Sequence, residues 1–165
     1  MTTVAYDGRY LATDSQATGS DGEIAPGEYT KIALVEGTFK GEPLVAIAYA
    51  GNPFPREEYL DWVAAGAKRE EYSEDWDGLM GMIVTNANAY YIDYKGFSMR
   101  SNSIAAMGSG QTYALSAMYL GRGAAQAVHH AIQRDAYSGG SIKMLDCQSE
   151  QPSIQIVSQE ESGKW

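Results

Sequence analysis

Thr2 follows Met1 directly, and a threonine that becomes the first residue of a chain carries its own base. A threonine hydroxyl is a poor nucleophile and needs an adjacent proton acceptor. The α-amine of an N-terminal threonine, with a reference pKa of about 7.7–8.0, can be that acceptor. Other residues could contribute charge or hydroxyls: Asp14, Lys31 in Thr30-Lys31-Ile32, Ser109 in Gly108-Ser109-Gly110, and Asp135 with Ser138-Gly139-Gly140. Taken alone, each has an ordinary reading. Thr2-Thr3 starts a strand, Asp14 caps a strand end, and Lys31 is a solvent-facing strand lysine. Ser109 lies in a tight turn near a helix N-cap, and its flanking glycines are too few for a phosphate loop. Asp135 and the glycines after Ser138 end a helix. His129 and His130 are neighbours on a helix and diverge, which is poor metal-ligand geometry. Cys147 reads as a small core residue.

The elements that would position these residues can be read from pattern. Thr2–Tyr6 and Arg9–Asp14 are β-type runs joined by Asp7-Gly8, a dipeptide favoured in type I′ hairpins. A Gly/Ser/Asp-rich loop runs to about Glu28. Thr30–Val35 and Pro43–Tyr49 form a second hairpin around Gly37 and Gly41. Pro55 to about Lys68 is helical, with Leu60, Val63 and Ala64 on one face. Arg69–Gly78 is acidic and turn-like. Leu79–Thr85, Ala89–Tyr94 and Phe97–Ala106 are strands. Gln111–Leu120 and Ala124 to about Asp135 are Ala-rich helices, and Ser141–Cys147 and Ser153–Ser158 are final strands. No linker or repeat divides residues 1–165, so one domain is expected. Sheets with one apolar face left open are unstable. The pattern therefore predicts an α+β fold, a four-layer α-β-β-α sandwich of two antiparallel sheets between helical layers.

Composition narrows the function. Twelve basic against 21 acidic residues give a net charge of −9, which disfavours nucleic acid and anionic membrane surfaces as partners. A single cysteine excludes an intrachain disulfide and a cysteine-based metal site. No apolar run approaches a membrane span of ~18 residues, and no secretory signal is evident. A cytoplasmic protein is expected.

Several segments taken in order carry a family resemblance. Thr2-Thr3-Val4-Ala5 and Ala12-Thr13-Asp14-Ser15-Gln16-Ala17-Thr18 resemble the start of mature proteasome β-subunits and of HslV, their bacterial relative. Arg134-Asp135-Ala136-Tyr137-Ser138-Gly139-Gly140-Ser141 is similar to a segment of proteasome β-subunits. Thr30-Lys31-Ile32, Ala50-Gly51 and Gly108-Ser109-Gly110 fall between them in the family's order, so the resemblance covers Thr2 to about Leu145. It implies the N-terminal nucleophile hydrolase fold and a threonine endopeptidase. Thr2 would be nucleophile and, through its α-amine, base. Lys31 would favour the alkoxide-like form, with Asp14 holding it in place. Ser109, Asp135 and Ser138 would orient the amine and a water. Gly51 would offer its N–H to the oxyanion. Ala17, Thr18, Tyr29, Ala33 and Tyr49 match substrate-binding positions: Thr18 and Gly51 on edges that an extended peptide could join, the others around the residue before the cut bond. None of these is acidic, so cleavage after hydrophobic or aromatic residues is expected rather than after basic ones. The resemblance further implies a peptide or unfolded-protein substrate, a homo-oligomer, an ATP-dependent unfoldase ring as a candidate partner, and no metal or cofactor.

The chain departs from the family in three places. The first hairpin is shorter by roughly four residues, an even deletion that preserves the face on which Asp14 lies. Relatives carry a helix pair after Ala50-Gly51, and here only the first helix is evident, which puts the double ring in doubt and admits another ring or an open helical array. No propeptide is expected before Thr2, so an aminopeptidase would have to remove Met1. With Met1 retained, Thr2 has no free amine. The shortness suits a minimal bacterial or phage version. Two other readings stand beside this one: a non-catalytic assembly or binding protein that keeps Met1, and an N-terminal nucleophile enzyme acting on a non-peptide amide.

Overall fold

The computed structural model describes residues 2–101 and 103–159. Strands β1 (Thr3–Tyr6), β2 (Tyr10–Thr13), β3 (Ile32–Leu34), β4 (Thr38–Phe39) and β5 (Glu42–Gly51) precede helix α1 (Arg56–Ala64). Single 3₁₀ turns at Arg69–Glu71 and Glu74–Trp76 occupy the acidic segment. Strands β6 (Leu79–Thr85), β7 (Ala89–Ile92), β8 (Ser98–Arg100) and β9 (Ala105–Gly108) follow. Helices α2 (Gln111–Tyr119) and α3 (Ala124–Ile132) and strands β10 (Ile142–Asp146) and β11 (Gln155–Val157) complete the order. The fold is α+β, with two antiparallel sheets and three α-helices among the described residues.

One sheet runs β11-β10-β2-β1-β9 and the other β3-β5-β6-β7-β8, with β4 paired to β5. Alternation along the strands sorts their side chains between faces. Val4, Tyr6 and Leu11 join Ala46, Ala48, Met82 and Val84 in a core between the sheets. Ala5, Ala12, Ala106, Ile142 and Met144 face the other way and meet Ala114, Ala117, Ala125 and Val128 of α2 and α3. Their small side chains allow the helices to approach the sheet closely. On the second sheet, Ile47, Leu79 and Ile83 pack under Tyr59, Trp62 and Val63 of α1. These three cores are compatible with a sandwich.

Two local expectations are corrected. Asp7 N–H donates to Tyr10 O, so Gly8 and Arg9 are the central turn residues, and φ is positive at Gly8 (101°) but not at Arg9. That sign pattern belongs to a type II′ turn rather than type I′. Asp7 stays out of the left-handed region and uses its carboxylate to accept the N–H groups of Arg9 and Tyr10. The stretch Phe97–Ala106 is also not one strand. Ser98–Arg100 pairs with β7 in one sheet, and Ala105–Gly108 pairs with β1 in the other. Polar Ser101 breaks the run, its hydroxyl donating to Ile104 O at 2.6 Å. Asn102 within this crossing, Met1, and the tail 160–165 lie outside the described residues.

Candidate active site

Thr2 precedes β1 and is buried, only 4% exposed. Gly108 and Gly110 explain how the chain start packs so deeply. A Cβ on Gly108 would stand 1.9 Å from Thr2 O, and one on Gly110 would stand 1.9 Å from Thr3 Oγ1. Gly108 also has φ +95°, which glycine adopts without strain. The Gly-Ser-Gly sequence is therefore a close-approach surface for the first residues, and Ser109 does not cap α2, whose N-cap is Gly110.

Lys31, just before β3, is 7% exposed and not the solvent-facing lysine of the ordinary reading. Its Nζ lies 2.8 Å from Asp14 Oδ1 and donates to Gln16 O at 2.6 Å. Asp14 is fully buried where β2 ends, opposite Thr3. Its Oδ1 also accepts Thr3 N–H (3.0 Å), and its Oδ2 accepts Gly139 N–H (3.0 Å) and Gln16 N–H (3.3 Å). Both oxygens thus face donors, an environment that an ionised carboxylate satisfies and a protonated one does not. Burial nevertheless pushes Asp14 above the ordinary aspartate value, against Lys31 and the N–H groups of Thr3 and Gly139. Burial likewise pulls Lys31 below the ordinary lysine value, against the attraction of Asp14. The pair holds a cation in a place that water would not stabilise.

Asp135, in the loop after α3, forms a second network. Its Oδ2 accepts the hydroxyls of Ser109 and Ser138, each at 2.6 Å, and its Oδ1 accepts Tyr137 N–H. Burial works to raise its pKa, but the donors from Ser109, Ser138 and Tyr137 outweigh it and hold the carboxyl below the ordinary aspartate value. Ser138 Oγ is 2.7 Å from Thr3 Oγ1, and Ser109 Oγ reaches Thr2 O at 3.5 Å. The two networks meet at Gly139, whose N–H reaches Asp14 and whose C=O accepts Ser15 N–H. The Ser138-Gly139-Gly140 run is therefore a dock for the chain after β2. The helix itself ends earlier, at Ile132.

Thr2 and Lys31 open onto a cavity of about 640 Å³. Gly51 and all five residues expected to bind substrate (Ala17, Thr18, Tyr29, Ala33 and Tyr49) line it as well. Two of its margins, the isolated bridge at Thr18 and the end of β5 at Gly51, present backbone groups with no partner among the described residues. The Thr18–Ile24 bridge is held by flanking bonds, Ala25 N–H to Ala17 O and Gly19 N–H to Glu23 O. In such a pair the N–H and C=O of Thr18 itself point away from Ile24. On the far side, Tyr49 N–H donates to Lys31 O while Asn52 N–H donates to Gly78 O. Alternation then turns Gly51 N–H toward the β3 side, beyond the start of β3. Gly51 has φ +88°, and a Cβ there would stand 1.9 Å from Gly78 O, so no other residue fits.

Reading the sequence missed several participants. Thr3 and Gly139 tie the networks together, and strand alternation could have flagged Thr3 as pointing opposite to Thr2. Arg56 and Glu57 line the cavity from the first turn of α1. Nothing in the local pattern shows that this turn folds back over Tyr49. Among the described residues no cluster of His, Cys, Asp or Glu could hold a metal ion, and no helix is long and apolar enough to cross a membrane. No protein-family model matches the chain, and no curated protein matches it either.

Proposed function

We propose that the chain is an N-terminal threonine endopeptidase with the four-layer N-terminal nucleophile hydrolase fold, similar to proteasome β-subunits and HslV. The cavity is what carries this reading. Thr2 opens into it together with the Lys31 ammonium, between two strand edges whose free backbone groups suit an extended peptide. A pocket for a small amide would not need paired strand edges, which favours a peptide substrate.

In the reaction, Met1 is first removed, freeing the Thr2 amine. A peptide adds as a strand between Thr18 and Gly51. Thr2 Oγ attacks the scissile carbonyl carbon and its proton passes to the α-amine. Lys31 stabilises the developing negative charge on Oγ, and Gly51 N–H receives the oxyanion. The tetrahedral adduct collapses, the C–N bond breaks, and the ammonium proton goes to the leaving amine. A water then attacks the Thr2 ester with the same amine as base, releasing the new carboxylate and restoring the hydroxyl. Asp135, with Ser109 and Ser138, positions that amine and water. None of these steps needs a metal or cofactor. The protein works as a homo-oligomer enclosing the sites, in a ring or helical array, and an ATP-dependent unfoldase ring would supply unfolded substrate.

Hydrolysis of a panel of fluorogenic peptides tests the proposal. Activity is expected from Met1-free protein, to persist at a reduced level in Thr2→Ser, and to vanish in Thr2→Ala. Equal activity of Thr2→Ala and the parent would overturn it.

A further inference from the structure

Arg56 differs from the other charged residues of the cavity. Lys31 is committed to Asp14 and to Gln16 O. Glu57 is exposed at the margin, where solvent screens it. The half-buried Arg56 guanidinium is held at two points: Nη2 donates to Thr30 O at 2.6 Å, and the group lies 4.8 Å from the centre of the Tyr49 ring. No carboxylate lies within ion-pair distance of it among the described residues. A guanidinium carries five N–H donors in a fixed fork, so most of this fork has no acceptor among the described residues. In a chain of net charge −9, an arginine held in a cavity wall without a counterion is placed to take an anion.

The surrounding walls limit what that ligand is. Ala17, Ala33, Tyr49, Leu60 and Leu79 offer apolar surface to a short aliphatic stem. At its end the guanidinium favours a planar, negatively charged acceptor, which it can bind through two parallel bonds. The partial enclosure strengthens that attraction relative to water. We propose that the cavity selects a carboxylate side chain, Asp or Glu, on the residue before the cleaved bond, and that Arg56 is the specificity-determining residue. This inference rests on the peptidase reading above and replaces the hydrophobic preference expected from Ala17, Tyr29, Ala33 and Tyr49 alone. Those four residues left out the side chain that α1 lays over Tyr49.

The test uses Met1-free protein and four peptide epoxyketones that differ only before the reactive group: Glu, Gln, Leu and Arg. Labelling rates at Thr2 are read by intact mass. The Glu probe is expected to react faster than its neutral isostere Gln by on the order of tenfold or more. In Arg56→Gln that ratio falls to near one while the Leu probe still labels, which shows an intact site. Arg56→Lys, keeping the charge but not the fork, lowers the ratio without abolishing it, and Glu57→Gln does not lower it. A parent protein that labels with Leu but takes Glu no faster than Gln would overturn the inference and leave the peptidase reading standing. A preference that survives in Arg56→Gln would do the same. Labelling by none of the probes would overturn the peptidase reading, and the inference with it.

Discussion

At the level of single residues, the Lys31–Asp14 pair is the most consequential feature, because burial opposes both of its charges. A buried ion pair is a costly way to stabilise a fold, and its place at the cavity that Thr2 lines fits the proposed chemistry. Replacing Lys31 by Met leaves the Asp14 carboxylate buried without its cation. Peptide hydrolysis should drop by about 10²–10⁴-fold, and stability at pH 7 by on the order of 3 kcal/mol. The pH dependence has a definite sign. The folded pKa of Asp14 already exceeds the ordinary 3.8, and losing Lys31 raises it further. A raised carboxylate destabilises the fold at pH values above its unfolded pKa, so the stability gap between parent and Lys31→Met should shrink as pH falls toward 3.8. Thermal unfolding at a series of pH values measures it, and a gap that widens on acidification would contradict the assignment. Asp135 acts oppositely. Its folded pKa is depressed, so its contribution is present above 3.8 and lost as pH falls through the lower folded value.

At the level of elements, the junction of β1 with β9 fixes the position of Thr2. Gly108 pairs with Thr3 and leaves no room for a side chain against Thr2 O. Gly108→Ala combines left-handed strain with a backbone clash and should cost about 2–4 kcal/mol. It should also displace Thr2 and remove most epoxyketone labelling. Gly41 is a matched control, since it has φ +78° but nothing within 4 Å of an added Cβ. Gly41→Ala should cost only the conformational strain, about 1–2 kcal/mol, and leave labelling intact. Denaturant unfolding alongside labelling separates the two, and full labelling in Gly108→Ala would show that the glycine does not set the position of Thr2. Much of this scaffold was legible in the sequence. β6 matches the expected Leu79–Thr85 run, and the two expected Ala-rich helices are present as α2 and α3, with their alanines buried. What could not be read depended on distant partners. The apolar character of Phe97–Ala106 does not reveal that its halves pair in different sheets. Strand composition suggests an exposed Lys31, and only the arrival of the Asp14 loop makes its burial tolerable.

At the level of the whole molecule, the cavity draws on β3, β5 and β6 of one sheet, on Thr2 just before the first strand of the other, on the loop after β2 and on α1. It therefore exists only in the assembled fold. The two networks converge on Thr2 and Thr3 from opposite ends of the sequence, Asp14 and Lys31 from one side and Ser109, Asp135 and Ser138 from the other. Positions scattered over more than a hundred residues are thus brought to Thr2 and Thr3. The segments in which a resemblance to proteasome β-subunits was read contain these residues. Burial and bond partners were not readable without the fold, and the edges at Thr18 and Gly51 were expected only from the resemblance. The central claim is that Thr2 supplies a free amine and a nucleophilic hydroxyl together. A peptide epoxyketone bridges those two groups, so the most direct measurement is the intact mass of the purified protein before and after treatment. Loss of Met1 followed by one adduct per chain, absent in Thr2→Ala, is the predicted result. Met1-free protein that forms no adduct, or an adduct that persists in Thr2→Ala, would contradict it.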